Sequence, residues 1–268
     1  MTLPEVTQPE VSATPGPDGR GPGRPAEGPG QPFALCEGVR ALFTGRRGGV
    51  SLAPFDDLNI SESAGDDPAA VASNRAHVAA ACGLAPGAMA WMRQVHGASV
   101  SEMTGGPGAP TADAIYTGEP GLALGVLVAD CAPVLIADPV ARLVGAAHAG
   151  REGMAAGVVP ALVAALAGAG ADPGRMRAVI GPVICGACYE VPAQLRAKVA
   201  AVVPAAGCVT AAGTAGIDIR AGVEAQLAAA GVGKVSGDRR CTAETAGLYS
   251  YRRDGRTGRF AGLIWLAP

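Results

Sequence analysis

The feature that most constrains the fold is the mixed order of strand-like and helix-like segments after residue 33. Apolar, β-branched runs predict strands at residues 40–44, 89–95, 121–137, 143–148, 178–184, 248–252 and 260–266. Ala-rich runs predict helices at residues 68–82, 154–167, 192–203 and 219–230. Hairpin turns are predicted at residues 137–140 and 253–256. This irregular order predicts an α+β fold rather than a regular βαβ array.

The composition changes sharply near residue 32. Residues 1–32 are rich in Pro, Gly and Glu and contain almost nothing to bury, which predicts a disordered tail. With 268 residues, 49% of them hydrophobic, the chain can build a sizeable core. No second linker and no internal repeat follows, so we expect one folded domain at residues 33–268.

Charge and hydrophobic patterning exclude several classes of protein. The 21 Lys and Arg residues nearly balance 23 Asp and Glu residues, so neither a nucleic-acid partner nor a membrane surface is expected. Residues 1–20 contain four prolines and no apolar core, which argues against a secretory signal. Seven scattered cysteines, an odd number, fit a reducing, cytoplasmic setting. Nothing in the sequence indicates the oligomeric state.

Common catalytic motifs are missing. No Gly-x-Gly-x-x-Gly follows a predicted strand, and no complete P-loop is present, which excludes Rossmann dehydrogenases and P-loop NTPases. The sequence also lacks Gly-x-Ser-x-Gly and the paired motifs of cytidine-type zinc deaminases.

Two of the three histidines stand at the ends of predicted strands. His96 precedes Gly97, and His148 precedes Ala149 and a glycine, whereas His77 lies alone in a predicted helix and is interpreted as structural. If the first hairpin turn is centred between residues 139 and 140, Cys131 pairs directly with His148. Paired residues on one face have Cβ atoms about 4.5–5.5 Å apart. Thiolate and imidazole could then share a metal or a proton.

These residues support two kinds of chemistry and one structural alternative. Two imidazoles and one thiolate make a three-ligand set that leaves the fourth position of zinc open, as in catalytic sites. Alternatively, Cys131 is the nucleophile of a metal-free hydrolase with His148 as its base, acting on an amide or a cell-wall precursor peptide. His96 favours the metal site, because a Cys-His hydrolase does not need a second imidazole. The structural alternative is a core cysteine beside two core histidines.

The sequence resembles the multifunctional purine nucleoside phosphorylase family, also called YfiH-like, laccase-domain, polyphenol oxidase or peptidoglycan editing factor proteins. The resemblance runs from about residue 44 to residue 266. Its three metal-site motifs are Gln94-Val95-His96-Gly97, Ala129-Asp130-Cys131-Ala132-Pro133-Val134 and His148-Ala149-Gly150. Further matches are Leu58-Asn59-Ile60-Ser61, Gly65-Asp66-Asp67, Asn74-Arg75, Ala112-Asp113-Ala114, Ile180-Gly181-Pro182, Cys188-Tyr189-Glu190-Val191, Ser250-Tyr251-Arg252-Arg253-Asp254-Gly255 and Thr257-Gly258-Arg259.

The resemblance implies a single domain of mixed β-sheets sandwiched by helices, with catalytic zinc held by His96, Cys131 and His148. It implies phosphorolysis of adenosine, inosine, guanosine and methylthioadenosine, with adenosine deamination as a second activity. A purine nucleoside and phosphate are then the expected partners. By position, Asn59, Arg75 and Gln94 are expected to contact the substrate.

Two features leave alternatives open. The family usually reads His-Ala-Gly-Trp-Arg-Gly, whereas this chain has Arg151 and Glu152 in place of Trp and Arg. A carboxylate at this position is expected to repel an anion that the usual arginine would hold, and the sequence leaves open whether Arg151 compensates. Copper is the alternative metal, but an oxygen-reducing trinuclear cluster requires many more imidazoles than three.

A third, non-enzymatic interpretation rests on Cys185-Gly186-Ala187-Cys188 as half of a zinc knuckle or as a redox pair. A Cys-x-x-Cys motif without a second pair is a weak signal. The arginines at 252, 253, 256 and 259 are interpreted as a solvated turn rather than a nucleic-acid patch.

Overall fold

The structure is a computed structural model that describes residues 29–30, 32–85 and 87–267. Most of the predicted tail at residues 1–32 therefore lies outside the described residues. The strands are β1 (Phe33–Cys36), β2 (Val39–Phe43), β3 (Met89–Ala90), β4 (Val100–Glu102), β5 (Ala114–Thr117), β6 (Ala123–Val128), β7 (Ala132–Asp138), β8 (Leu143–Ala149), β9 (Arg177–Ile180), β10 (Gly207–Val209), β11 (Ala215–Ile217), β12 (Lys234–Gly237) and β13 (Phe260–Leu266). The helices are α1 (Pro68–Ala81), α2 (Arg151–Ala156), α3 (Val158–Gly168), α4 (Ala193–Val202), α5 (Ile219–Ala229) and α6 (Tyr251–Asp254).

Two large mixed sheets form the centre of the fold. One has the strand order β1-β2-β13-β6-β3, and the other has the order β12-β9-β7-β8-β5-β4. A buried cluster contains side chains from both sheets, including Leu124, Val126 and Ile264 from the first and Leu135 and Val144 from the second. The sheets therefore pack face to face, and this apolar layer makes them one structural unit.

Helices cover the outer faces. On the six-stranded sheet, α2, α3 and α5 bury Met154, Leu162 and Val223 against β7, β8 and β9. On the five-stranded sheet, α1 packs Val78 against Leu42 and other apolar residues of the strands. Each fully buried aliphatic side chain contributes about 1.5–3 kcal/mol. The predicted α+β architecture, with mixed sheets sandwiched by helices, is confirmed.

Local sequence explains where the helices begin and end. α1 begins with Pro68 after Asp67, whose carboxylate accepts the N–H of Ala69. The predicted helix at residues 154–167 is wrong as one element, because Gly157, at φ 86°, ends α2 and precedes α3. No helix of the described residues is long and apolar enough to cross a membrane.

The longest predicted strand, residues 121–137, is also wrong as one element. It divides into β6 and β7, which belong to different sheets. Between them Asp130 has a φ of 95°, a value that extended backbone does not adopt. The chain therefore crosses from one sheet to the other at Cys131.

The β7–β8 hairpin is confirmed, but its predicted register is wrong. The connecting loop, residues 139–142, is centred between Val140 and Ala141 and not one position earlier, because Asp138 pairs with Leu143 and its carboxylate accepts the N–H groups of Val140 and Ala141. His148 therefore faces Pro133 instead of Cys131. A two-residue displacement keeps each side chain on its predicted face, since strands alternate with a period of two.

The other differences lie near the ends of strands. The predicted strands at 89–95 and 178–184 shorten to β3 and β9. No strand forms at 248–252: Ser250 instead accepts the N–H of Arg253 and begins α6. The hairpin predicted at 253–256 is likewise wrong, because Asp254 ends this helix and Gly255 follows it.

Candidate metal centre and substrate cavity

His96, Cys131 and His148 converge at one point. Their ligand atoms all lie within 4.8 Å of one another, and the two imidazole rings meet edge to face with centroids 4.7 Å apart. His148 projects from β8, His96 from the loop after β3, and Cys131 from the crossover between β6 and β7. The predicted convergence is therefore present, although β-hairpin pairing is not what produces it.

A buried carboxylate that was given no role from the sequence organises two of these residues. Asp113 accepts the backbone N–H groups of Val95, His96 and Gly97, at 2.7–3.2 Å. Its Oδ1 atom also lies 2.9 Å from Nδ1 of His148. An ionised Asp113 keeps the proton on Nδ1 and leaves Nε2 of His148 free as a ligand, the arrangement typical of metal-bound histidines. Asp113 thus orients both histidines.

The charge of Asp113 is maintained by these contacts. Burial by itself raises the pKa of Asp113, but the hydrogen bonds from His148, Gly97 and Val95 outweigh it, and the net shift is downward. The carboxylate is therefore ionised at neutral pH.

Two ligand segments adopt unusual backbone conformations. His96 has a φ of 61°, a left-handed conformation that non-glycine residues adopt rarely. Asp130, at φ 95°, is held from three sides: Thr242 and the N–H of Arg252 donate to its carboxylate, and the N–H of Ile184 donates to its carbonyl. Such strain persists where surrounding contacts fix it, and it concentrates at functional sites.

The thiol of Cys131 is set up to ionise. Burial raises the pKa of Cys131, but the charge and hydrogen bonds of His148, together with those of His96, lower it to about 6. Burial lowers the pKa of His148, while the Cys131 thiolate and Asp113 raise it to about 9. At neutral pH the metal-free pair is therefore a thiolate beside an imidazolium. The thiolate is the form of cysteine that binds metal or attacks a carbonyl carbon.

This donor set fits a zinc ion. It supplies one thiolate and two imidazoles, one of them oriented by a carboxylate, which is the ligand chemistry of catalytic zinc sites with an open position. Gly150 lets two of these side chains occupy their positions, because a Cβ atom at residue 150 would lie 2.9 Å from Sγ of Cys131 and 3.1 Å from Cδ2 of His96. Of the three histidines in the chain, His77 lies exposed on α1, away from this cluster.

A cavity of about 1060 Å³ opens beside the three ligands, which all contribute to its wall. Its volume is at the upper end of the range of small-molecule sites. Positive charge dominates the wall, because five arginines line it and only two carboxylates do. These residues are Arg75, Arg93, Arg151, Arg252, Arg259, Glu62 and Asp130. The cavity therefore attracts anions.

The predicted substrate-binding residues occupy different positions. Arg75 lines the cavity, donates from Nε to the carbonyl of Ile60 and lies over the ring of Trp91, with its guanidinium carbon 4.7 Å from the centroid. Gln94 also lines the cavity, but both ends of its amide bond to the backbone of Leu127.

Asn59 is fully buried and is not part of the cavity wall. Its Oδ1 accepts the N–H of Arg259, a residue of the wall. Asn59 can therefore influence the cavity through Arg259.

The interpretation of Arg259 as part of a solvated turn is wrong, because its side chain is partly buried and lines the cavity. Its guanidinium donates to the carbonyls of Thr257 and Gly258. Burial lowers the pKa of Arg259, and the negative charges of Cys131 and Asp130 oppose that shift. The charge of Arg259 thus couples to the Cys131 thiolate.

This chain has Arg151 and Glu152 where the family motif usually has Trp and Arg, and the structure partly compensates for that difference. Arg151 lines the cavity, and its guanidinium contacts the carboxylate of Glu152. The Glu152 side chain is 62% exposed and does not line the main cavity, but it lines a smaller cavity of about 240 Å³ whose wall also contains His96 and Cys131. The carboxylate is therefore neutralised locally, while a guanidinium remains at the wall.

The fold and the site together define an α+β protein with a His₂Cys centre at the wall of a cationic cavity. Residues 40–267 match the family model described as multi-copper polyphenol oxidoreductase laccase. The chain belongs to this family.

Relatives and solved structures agree with the assignment. The chain is 52% identical to a purine nucleoside phosphorylase of Streptomyces coelicolor, over 85% of this chain and 96% of that protein. It is 41% identical to a purine nucleoside phosphorylase of Pseudomonas aeruginosa, over 85% and 93%. The crystal structure of YlmD from Geobacillus stearothermophilus superposes with a TM-score of 0.82 at 31% identity, covering 88% of this chain and 94% of that one.

Proposed function

We propose that this protein is a zinc-dependent purine nucleoside phosphorylase that acts on adenosine, inosine, guanosine and methylthioadenosine. We also propose adenosine deamination as its second activity. The observation that carries the proposal is the His96-Cys131-His148 cluster on the wall of a cavity that attracts anions and is large enough for a nucleoside and phosphate. The names of the relatives from Streptomyces and Pseudomonas support the same reaction.

In phosphorolysis, the glycosidic C–N bond breaks and a bond forms between the anomeric carbon and a phosphate oxygen. The cavity arginines hold the phosphate dianion. The Arg75 guanidinium donates from Nε to Ile60 and from Nη1 to Glu62, and its remaining N–H groups are the ones that it presents to the phosphate. Trp91, beneath Arg75, limits the rotation of that guanidinium. Gln94 stiffens the wall through its two bonds to Leu127, and its position beside the ligands also supports a contact with the nucleoside.

His96, Cys131 and His148 would hold the zinc ion, with Asp113 keeping a proton on Nδ1 of His148. Bound there, zinc would supply Lewis acidity for polarising the substrate and for activating water in deamination. Asn59 acts indirectly, because its side chain accepts the backbone N–H of Arg259 and so fixes the position of that arginine.

The test is a product analysis. Purified, zinc-supplied protein is incubated with adenosine, with and without phosphate, and adenine, inosine and ribose 1-phosphate are separated. Phosphate-dependent release of adenine and ribose 1-phosphate is expected, together with phosphate-independent inosine. Cys131→Ser is expected to lose both activities, whereas Cys82→Ser, at the end of α1, keeps them. Failure of the zinc-loaded protein to convert any of the four nucleosides would refute the proposal.

A second variant set tests the phosphate subsite. Arg75→Gln is expected to raise KM for phosphate at least tenfold with a smaller change in KM for the nucleoside, since a charge-assisted hydrogen bond is lost. Arg40→Gln, on an exposed position of β2, is the matched control. Equal effects on the two KM values would place Arg75 outside the phosphate subsite.

One observation favours a second candidate, a cysteine hydrolase acting on a cell-wall precursor peptide. Cys131 lies beside His148, and Nδ1 of His148 hydrogen-bonds to Asp113, in the order of a nucleophile, a base and its orienting carboxylate. Metal analysis separates the two candidates. Metal-free protein with alkylation-sensitive amidase activity supports the hydrolase, and a zinc ion lost in Cys131→Ser supports the phosphorylase.

Copper is the less suitable metal for this chain. A single His₂Cys site can hold one copper ion, but multicopper oxidation also requires a cluster with many more imidazoles than the three histidines in this chain. We therefore propose zinc. Oxygen consumption with a phenol after copper loading would argue against it.

A further inference from the structure

A second group of candidate metal ligands lies outside the His₂Cys centre. The ligand atoms of Cys185, Cys188, Cys241 and Glu244 all lie within 4.8 Å of one another. Two segments that are distant in sequence supply them, each as a pair with two residues between. The Cys-x-x-Cys motif therefore has the second pair that the sequence alone did not reveal.

The backbone around these residues forms two tight turns. The carbonyl of Cys185 accepts the N–H groups of Cys188 and Tyr189, both at 3.0 Å. The carbonyl of Cys241 accepts the N–H of Thr245 at 3.0 Å. In addition, the N–H of Cys185 points at Sγ of Cys241, with 3.3 Å between nitrogen and sulfur. N–H donors directed at sulfur are typical of cysteines that ligate metals as thiolates.

The spacing and the donor types match zinc. Tetrahedral zinc with Zn–S bonds of about 2.3 Å requires sulfurs about 3.8 Å apart. The ligand atoms of these four residues lie within 4.8 Å of one another, so they need to move only slightly closer together to bind zinc. Three thiolates are soft ligands that select zinc over magnesium or calcium. A disulfide would use only two of the three cysteines, whereas a metal uses all of them, and all three are free thiols here.

We propose that Cys185, Cys188, Cys241 and Glu244 form a second, structural zinc site. With four protein ligands the site is closed, as structural zinc sites are. It joins the loop after β9 to the loop after β12. This assignment is independent of the reaction proposed above.

The site has a defined consequence for the His₂Cys centre. Thr242, next to Cys241, donates to Oδ1 of Asp130 at 2.6 Å, and Ile184, next to Cys185, donates its N–H to the Asp130 carbonyl at 3.0 Å. Asp130 immediately precedes Cys131. The second zinc therefore stabilises the two segments that hold the Cys131 loop in place.

Zinc content tests the proposal directly. Wild-type protein expressed with zinc in the medium is expected to carry two zinc ions per chain by elemental analysis. Cys131→Ser and Cys188→Ser are each expected to carry one, the double variant none, and Cys82→Ser two. If Cys188→Ser fails to fold, the count in Cys131→Ser decides alone. One retained zinc supports the second site, and none overturns it.

Chemical protection gives a readout separate from activity. Cys185 and Cys188 are only partly buried, so they should react with iodoacetamide once zinc is removed by a chelator, and at least tenfold more slowly before removal. Peptide mapping locates the labelled cysteines. Equal labelling with and without zinc, or a disulfide between any two of the three cysteines in freshly purified protein, would overturn the assignment.

Discussion

Gly150 leaves room for Cys131. A Cβ atom built on Gly150 would lie 2.9 Å from Sγ of Cys131 and 3.1 Å from Cδ2 of His96, closer than side chains normally approach one another. The third residue of the His148-Ala149-Gly150 motif is thus a requirement of the ligand geometry. Two of the three ligands would have to move to accept any other side chain here.

Gly150→Ala is therefore expected to weaken zinc binding at least tenfold with little loss of secondary structure, because the new methyl group displaces the Cys131 sulfur. Titration against a chromophoric chelator measures the affinity. Gly168→Ala is the matched control, since Gly168 lies at the end of α3 with no other atom within 4 Å of a new Cβ. This control should be neutral or slightly stabilising. Equal zinc affinity in both variants would contradict the steric argument.

Zinc affinity at the His₂Cys centre should depend on pH in a specific way. The pKa of Cys131 is lowered to about 6, and that of His148 is raised to about 9. Between pH 6 and pH 9 the metal-free pair therefore carries one proton that a metal ion displaces, and this proton is on His148. Binding releases that proton, so the apparent affinity should rise about tenfold per pH unit from 6 to 9. Below pH 6 the protonated thiol makes the dependence steeper.

Chelator competition at pH 6.5, 7.5 and 8.5 measures this slope, and Cys185→Ser protein reports the His₂Cys centre alone. Affinity that does not change across these three values would show that His148 is already neutral before zinc binds. Asp113→Asn removes one of the partners that raise the pKa of His148. It should flatten the slope while lowering affinity by about 10–100-fold through the lost orienting contact.

Asp138 is expected to carry much of the stability of the β7–β8 hairpin. Burial raises its pKa, but hydrogen bonds from the backbone of Asp172, Ala141 and Val140 and from Arg175 outweigh burial and lower it overall. Because the pKa of Asp138 is lower in the folded state, the stabilisation is complete at pH values above the pKa of the unfolded chain, about 4. It is lost as the pH falls through the pKa of the folded protein.

Asp138→Asn should therefore lower the free energy of unfolding by about 2–3 kcal/mol at pH 7, because buried donors lose a charged acceptor. The difference from wild type should shrink when the pH is brought well below 4. Urea unfolding at both pH values measures it, with the exposed Glu37→Gln as control. A difference that is independent of pH would assign the effect to packing rather than charge.

Much of the fold was accessible from the sequence, because apolar periodicity reports burial. The predicted positions of α1, α4, α5, β2, β8 and β13 agree with the structure within a few residues. The division of residues 121–137 between two sheets was not predicted, since apolar residues flank Asp130 on both sides and the break depends on its backbone angle. The left-handed φ is stabilised by Thr242, a contact between residues more than a hundred positions apart.

The convergence of His96, Cys131 and His148 agrees with the prediction, but the prediction rested partly on a wrong geometric reason. The predicted turn centre lies one position too early, because the Asp138 carboxylate stabilises a four-residue loop by accepting two backbone N–H groups. Asp113 had a signal in the sequence, an acidic residue between two alanines that is otherwise costly to bury. Cys241 and Glu244 had no comparable signal in the sequence, because only the fold brings them close to Cys185 and Cys188.

The backbone of Asp130 provides the last prediction. Asp130→Gly keeps the φ of 95° accessible but removes the carboxylate that accepts from Thr242 and from the N–H of Arg252. Asp130→Ala removes the same contacts and also forces an alanine into a disfavoured conformation, which costs about a further 1 kcal/mol. The alanine variant should therefore unfold at lower urea concentration than the glycine variant, and both should unfold before wild type. Both should also bind zinc more weakly at the His₂Cys centre, because the Cys131 loop is less fixed. Identical stability of the two variants would mean that residue 130 leaves its left-handed φ once the carboxylate is removed, and this would contradict the extra cost expected for alanine.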